Sequence, residues 1–334
     1  MPSPVRRKTL VLVLALGAAL AFAAVAYAGN GGFAPETPHS PNATRINDSY
    51  KWISIFAAAI FIVVEGSLLW FVFRYRRRGR PRTAEGPQIH GATRLELVWT
   101  AIPVLIIVAI LSFLFYKLPG IRDVPSARAQ GGPLRIRIDA HQFYWQFTYP
   151  NGSVSIDELH APVARVVRLD IYSHDVDHSW WIPELGGKFD AIPGQHTHTW
   201  FKADRAGTYK GRCGEFCGVL HAEMAARVVV ESKDDYDAWV LHKGPQNLGR
   251  NEWLGVCAKC HGLSGQGGYG PNIATSTLLV QPQGLRTLLT NGQNRIKPTS
   301  SYMPPVGRTW TDDQFRALEQ YLKAVVYKGD TSGG

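Results

Sequence analysis

Three long apolar runs lie within the first 118 residues of this 334-residue chain, and no later stretch matches them. That asymmetry limits the fold to a membrane-embedded front part followed by a soluble remainder. The first run, Leu10 to Val25, follows Arg6-Arg7-Lys8 and ends at Ala26-Tyr27-Ala28, so residues 1–28 read as a signal peptide. It is long for a signal peptide, and a retained third membrane helix stays open. Residues 29–49, rich in Gly, Pro, Asn and Ser, read as an exported loop or tail. Tyr50 to Phe73 and Leu95 to Leu118 are each long enough to span a bilayer, so residues 50–119 are expected to form a transmembrane helix hairpin.

The formal net charge of +10 is topological. Arg6, Arg7 and Lys8 precede the first run. Arg74, Arg76, Arg77, Arg78, Arg80, Arg82 and Arg94 stand between the second and third, with Glu85 the sole acid there. These stretches account for all but about one unit of the net charge, and they place the connecting loop in the cytoplasm by the positive-inside rule. Everything after Gly120 then lies outside the cytoplasm. That exported part is nearly neutral, which excludes nucleic-acid binding, since such affinity rests on clustered cations.

From Pro133 to Val230 the pattern changes to short alternating runs. Leu134 to Asp139 alternates with period two; Val163 to Ile171, Thr197 to Phe201 and Ala225 to Glu231 do so less strictly. Asn151-Gly152 marks a hairpin turn. A small β-sandwich or barrel over residues 120–232 is the expected fold. Residues 233–246 read as a linker, with one helix over Asp234 to His242. Residues 247–330 read as a compact helical domain. Its last helix opens on the capping box Thr311-Asp-Asp-Gln314 and carries the apolar stripe Phe315, Leu318, Leu322 and Val325-Val326.

The four cysteines come as two close pairs, Cys213/Cys217 and Cys257/Cys260, and the chain has three methionines including the first residue. A chain that spares Met as core filler yet keeps Met224 and Met303 near these motifs invites a ligand reading, against the alternative that both fill gaps. In Cys213-Gly-Glu-Phe-Cys217-Gly-Val-Leu-His221-Ala-Glu-Met224, thiolate, imidazole and thioether are the soft and borderline donors that suit copper. Two thiolates four residues apart on one loop can sit between two metals, with His221 and Met224 capping them. A further imidazole is available at His178, in Asp175-Val-Asp-His178-Ser-Trp-Trp-Ile-Pro183. The competing readings are an exported disulfide between Cys213 and Cys217 and a mononuclear blue-copper site, which has no use for the second Cys.

These segments resemble the copper-binding loop and the first histidine loop of subunit II of the haem–copper cytochrome c oxidases. The resemblance spans Tyr50 to Glu231 and includes Lys188-Phe-Asp-Ala-Ile-Pro-Gly194 and both membrane helices. It implies a cupredoxin-like β-sandwich holding a binuclear copper A centre. Carried over residue by residue, Cys213 and Cys217 bridge the coppers, His178 and His221 each bind one, Met224 binds one weakly and the main-chain carbonyl of Glu215 binds the other. The family also uses the side chain at Glu215 for a magnesium or manganese ion at the contact with subunit I. A pair of coppers sharing one electron changes each bond length little on reduction, which favours fast transfer.

Cys257-Ala-Lys-Cys260-His261 is a c-type haem attachment signature: two thioether bonds fix the porphyrin and the adjacent imidazole takes one axial position. A redox dithiol or a zinc site would give no reason for His261. No His follows His261, so Met303 in Tyr302-Met-Pro-Pro305 is the expected second axial ligand, and His/Met ligation raises the potential. Residues 247–329 resemble a small all-α class I cytochrome c, in which a loop like Gly270-Pro-Asn272 orients the proximal imidazole. A cytochrome c fused to subunit II is an arrangement within that family.

Weaker signals remain. Glu96, at the start of the second membrane helix, is either a plain interface carboxylate or, as the resemblance implies, the start of a proton pathway into subunit I. Glu65 lies deep in the first helix, where an ionisable group needs a partner. Asp139-Ala-His-Gln-Phe143-Tyr-Trp-Gln146 resembles the family's aromatic strand near copper, but Phe143 stands where the family often has the Trp that receives electrons from a separate cytochrome c. Delivery by the tethered haem is expected instead, at the high effective concentration of a short tether. His39, His90, His160, His174, His196, His198 and His242 match no ligand pattern.

The resemblance thus implies a component of a terminal oxidase: electrons pass from haem c to copper A to subunit I, where oxygen is reduced with proton translocation. It implies subunit I and subunit III as partners, a cytochrome c or bc-type complex as donor, and a multi-pass bacterial membrane protein with its copper and haem domains on the outer face. The subunit that takes up electrons in a copper-A nitric oxide reductase is the nearest alternative, and a copper-sensing or storage protein a more distant one. A quinol oxidase subunit is excluded, because that branch lacks the copper ligands.

Overall fold

The computed structural model describes residues 35–76, 88, 90–243, 246–293 and 302–329. The expected signal peptide, Arg77, Arg78, Arg80, Arg82 and Glu85 of the loop expected in the cytoplasm, and the outermost carboxyl-terminal residues lie outside the described residues. The chain divides into two compact units, one holding residues 44–123 and the other residues 36–43 with everything from Val124 on.

The first unit is a hairpin of two helices, α1 (Pro41–Arg74) and α2 (Thr93–Lys117). Both are long and apolar enough to cross a membrane. Trp52 of α1 stacks on Phe113 of α2 with ring centroids 5.1 Å apart. Lys117, at the end of α2, reaches Asp48 near the start of α1 at 2.7 Å. Helix α1 begins nine residues before the expected Tyr50, so residues 41–49 are helical rather than a loop. The cause is partly local and partly distant: Pro41 is preset for a first helical turn, and the Asn42 side chain accepts from the Ala43 N–H at 2.9 Å while donating to the far-off Trp200 carbonyl at 2.5 Å. His39 is also anchored: one ring nitrogen lies 3.0 Å from Asp204 and the other accepts from Arg205 at 2.7 Å.

The second unit begins with a sandwich of two five-stranded sheets. In chain order the strands are β1 (Leu134–His141), β2 (Tyr144–Thr148), β3 (Val154–Ile156), β4 (Glu158–Pro162) and β5 (Val167–Ser173). They continue as β6 (His178–Trp181), β7 (Phe189–Ala191), β8 (Thr197–Phe201), β9 (Gly207–Cys213) and β10 (Ala225–Glu231). One sheet has the order β3-β2-β1-β5-β8, the other β4-β10-β9-β6-β7. The β1–β5 and β10–β4 pairs are parallel, with Ile136 opposite Leu169 and Val228 opposite Leu159. Strict alternation puts Val167, Leu169 and Ile171 of β5 into the core, against Trp145, Trp180 and Val228. The run expected from Val163 starts only at Val167, because Ala164 takes a left-handed turn at φ +57°. Asn151-Gly152 turns β2 into β3 as expected, with Gly152 at φ +86° and its N–H donating to the Tyr149 carbonyl at 2.9 Å.

Helix α3 (Lys233–Ala238), capped by Ser232, runs on as a wider turn over Trp239–Lys243. It packs back on the sandwich: Trp239 lies 3.8 Å from the His160 ring, nearly parallel. Helix α4 joins Leu248–Glu252, Trp253–Cys257 and Ala258–His261. Helix α5 spans Pro282–Asn291, and α6 spans Asp312–Tyr321, extending over Leu322–Val326. The capping box at Thr311 and Gln314 is formed. Phe315, Leu318, Leu322 and Val326 are buried, whereas Val325 is 59% exposed; as the helix widens in its last turn, the stripe keeps only one of the two valines. Helices α4 and α6 cross at Gly249, where a Cβ would stand 2.1 Å from the Ala317 carbonyl.

Candidate metal and haem sites

The sandwich brings the candidate copper ligands together at one end. Cys213 closes β9, and its N–H donates to the Met224 carbonyl at 2.9 Å, which draws both ends of the intervening loop to one point. His178 opens β6, the strand beside β9, and the Gly214 N–H donates to the Ser179 carbonyl at 2.8 Å. The ligand atoms of His178, Cys213 and Cys217 lie within 4.8 Å of one another, the one such group among the described residues. His178 Nδ1 is 3.8 Å from Cys213 Sγ, and His221 Nδ1 is 3.5 Å from Cys217 Sγ. Met224 Sδ is 3.8 Å from Cys217 Sγ, and the Glu215 carbonyl oxygen is 3.2 Å from Cys213 Sγ. Four further donors therefore converge on the two sulfurs, making six in all, and Cys213, Cys217, His178 and Met224 are buried.

Both thiols are free, so the disulfide alternative is not realised. The Cys213 thiol is drawn well down by the hydrogen bond from Cys217 and by His178, while Cys217 is pushed up by the same pairing. A soft cation bound between the two sulfurs would displace their protons. The donor set fits copper by softness and by number. The Glu215 carboxylate pairs with Lys188 at 2.9 Å, and Lys188 also lies 3.6 Å from Asp190.

A second layer orients these ligands. His178 Nε2 faces Asp175 Oδ1 at 2.8 Å, which leaves Nδ1 for the metal side. Asp175 Oδ2 accepts from the Gln142 N–H at 2.6 Å, and the Gln142 side chain donates to the Cys217 carbonyl at 2.6 Å. Sequence reasoning assigned neither Asp175 nor Gln142 a role. The Asp-x-x-His spacing could have flagged Asp175, but nothing local signals Gln142.

A cavity of about 630 Å³, lined mostly by the helical part, has Cys257, Cys260, His261 and Met303 in its wall. The rest of its lining is mainly apolar, including Leu285, Leu289, Leu318 and Leu322. His261 Nδ1 donates to the Pro271 carbonyl at 2.9 Å, leaving Nε2 for an iron. Gly270 keeps that approach open, since a Cβ there would stand 2.9 Å from the His261 ring. Burial pushes both the Cys257 and Cys260 thiols up. Met303 is fixed by paired main-chain hydrogen bonds with Gln293, at 2.9 and 3.1 Å. Two thiols and an oriented imidazole at a large apolar cavity, with a thioether also in its wall, fit a covalent haem.

In the membrane hairpin, Glu96 is exposed and accepts from the Ala92 N–H at 3.1 Å, and Glu65 is exposed on α1. His160 and His174 are engaged by carboxylates, His160 by Glu158 and Glu231 and His174 by Asp139.

Three family models match the chain: cytochrome c oxidase subunit II, transmembrane domain, over residues 30–116; cytochrome c oxidase subunit II, periplasmic domain, over residues 154–233; and cytochrome c oxidase, cbb3-type, subunit III, over residues 245–322. Cytochrome c oxidase subunit 2 of Alkalihalophilus pseudofirmus is 34% identical, with the match covering 69% of this chain and 70% of that one. The Synechocystis subunit 2 is 30% identical, covering 70% of this chain and 83% of that one. The solved periplasmic domain of subunit II of cytochrome oxidase from Bradyrhizobium japonicum is 32% identical, covering 35% of this chain and 94% of that one at a TM-score of 0.33.

Proposed function

The chain belongs to the cytochrome c oxidase subunit II family, as a member with a fused cytochrome c domain, and on that premise we propose that it relays electrons from its own haem to its own copper centre and on to subunit I. It is a component of a haem–copper oxidoreductase complex. Membership implies a copper A centre in the sandwich and a haem in the helical domain. When bound, these groups would supply one-electron transfer chemistry.

The chain's own residues do the rest. Cys213, Cys217, His178, His221, Met224 and the Glu215 carbonyl would hold the coppers. Cys257 and Cys260 would bond the haem, with His261 and Met303 on its iron. Asp175 orients His178, and the Pro271 carbonyl orients His261. Although Phe216 and Val219 of the loop are exposed, Cys213, Cys217 and Met224 are buried, which keeps water from the sulfurs.

The observation that carries the order of transfer is the shared wall. Gln142, Phe143 and Leu220, all from the copper domain, line the cavity that also holds Cys257, Cys260 and His261. Phe143, standing where a Trp would receive an external cytochrome c, faces the internal haem site instead. The outer donor, a cytochrome c or bc-type complex, would therefore reduce the haem and not the copper directly. Oxygen reduction and proton translocation would fall to subunit I, with subunit III alongside and Glu96 at the start of a proton path. A magnesium or manganese ion at Glu215 would have to displace Lys188.

The test is truncation. Removing residues 246–334 from the assembled oxidase should abolish most turnover with external cytochrome c while leaving the copper A spectrum intact. An unchanged rate would overturn the order haem first, copper second.

A further inference from the structure

The haem cavity and the apolar core behind it are both built across two domains. Tyr144, Val154 and Ile156 of the first sheet share one buried cluster with Trp253 and Phe315 of the helical domain. The contact is tight: a Cβ on Gly255 would stand 2.4 Å from Ile156 Cγ2. At its edge Lys259, between the two haem-attaching cysteines, inserts its ammonium into the copper domain. Nζ donates to Asp157 Oδ2 at 2.5 Å and to the Phe143 carbonyl at 2.9 Å. The two side chains are only 14% and 16% exposed.

Asp157 cannot follow a moving partner. Its Oδ1 accepts from the Trp145 N–H at 2.9 Å, its own N–H donates to the Trp145 carbonyl at 2.8 Å, and its backbone sits at φ +58°. A buried ion pair is a poor source of net stability, because desolvation offsets the attraction, but a single charged anchor can specify register. Here the anchor lies within the haem-attachment motif and ends on the residue next to Gln142.

We propose that the cytochrome domain is a permanently docked donor rather than a tethered shuttle, and that Lys259 is the positioning residue that sets the haem site in register with the copper loop. The packed α3 segment is consistent with this, since it leaves little free tether. The proposal rests on the haem-to-copper order given above, but it concerns how the two sites are held.

The experiment uses the assembled oxidase with both cofactors. Hydrogen exchange is measured over Tyr144–Ile156 and Trp253–His261 in the wild type and in Lys259→Met. Exchange should rise in both segments of the variant and stay unchanged in β5 and β10. Haem-to-copper transfer, followed after rapid photoreduction of the haem, should be independent of solvent viscosity in the wild type. It should slow roughly tenfold or more in Lys259→Met, as expected for a displaced redox partner, and recover in part in Lys259→Arg. If Lys259→Met fails to carry covalent haem, Asp157→Asn removes the anchor without touching the attachment motif. A viscosity-dependent wild-type rate, or variants with wild-type exchange and transfer, would overturn the proposal. A wild type whose copper is never reduced by its haem would sink the electron order, and the exchange data would still decide whether Lys259 holds the domains.

Discussion

The side-chain amide of Gln142 donates to the carbonyl oxygen of Cys217 at 2.6 Å. The same residue lines the haem cavity, and its main-chain N–H holds Asp175, which in turn holds His178. Gln142 thus supports two of the proposed copper ligands and lines the cavity proposed for the haem.

Replacing Gln142 by Leu should therefore disturb both sites. The Cys217 carbonyl would lose its donor, at a cost of about 1–3 kcal/mol for a buried acceptor left unpaired. Electron-paramagnetic resonance should report a changed copper hyperfine pattern, and haem-to-copper transfer should slow. A variant with wild-type spectrum and rate would leave Gln142 as packing alone.

Gly270 gives a sharper structural prediction. Adding a methyl at Gly270→Ala places a carbon 2.9 Å from His261 Nδ1 and Cε1, so the ring must move off the Pro271 carbonyl. Haem should stay covalently attached through Cys257 and Cys260, while the low-spin absorption weakens. Met303→Leu should also keep the attachment but lower the haem potential, because a thioether opposite His raises it. Optical redox titration of the two variants separates these outcomes.

Acid should act through His141. Its ring is stacked between His174 and Tyr144, each with centroids 4.8 Å away, and Nε2 lies 3.1 Å from the Thr309 hydroxyl of the cytochrome domain. Burial, with the nearby His174 adding to it, holds its pKa down at about 4. The unfolded chain binds this proton near pH 6.5 and the folded one only near 4, so the contribution is complete above pH 6.5 and is lost as pH falls toward 4. The loss amounts to roughly 3 kcal/mol. Thermal melts between pH 7 and 4 should show it, and His141→Phe should flatten the dependence in that window.

Glu252 is fully buried on α4, and neither carboxylate oxygen has a hydrogen-bond partner among the described residues. Gln314 faces it from α6, short of hydrogen-bond geometry, and burial pushes the carboxyl well above the usual range. A carboxyl held protonated in the fold is released to solvent on unfolding, so it weakens the fold as pH rises above about 4.5. Glu252→Met should stabilise the chain by about 1–3 kcal/mol at pH 7, and by less at pH 4. Equal destabilisation at both values would mean that the carboxyl has a buried partner.

Much of the chemistry was legible because it is local. The two cysteine pairs, His261 and the apolar runs each depend on residues close in sequence, where bond lengths and helix pitch leave few options. Strands with period-two alternation, such as β5 and β10, were readable for the same reason. Strands β6, β7 and β9 were not, since their burial depends on which strands flank them. Helix α1 started early because Asn42 and His39 find partners 158 and 165 residues away.

By itself the sequence determined that this chain would anchor in a membrane, build a β-sandwich and carry ligand sets suited to copper and haem c. It offered the donors but not their separation, and it marked Phe143 as a departure without placing it against the haem site. The tertiary structure decided that Phe143, Gln142 and Leu220 wall the haem cavity, and that Lys259 is bonded to Asp157 across 102 residues. Such contacts depend on two domains packing in one register. No window of sequence contains both faces of that contact, so only the folded chain could fix it.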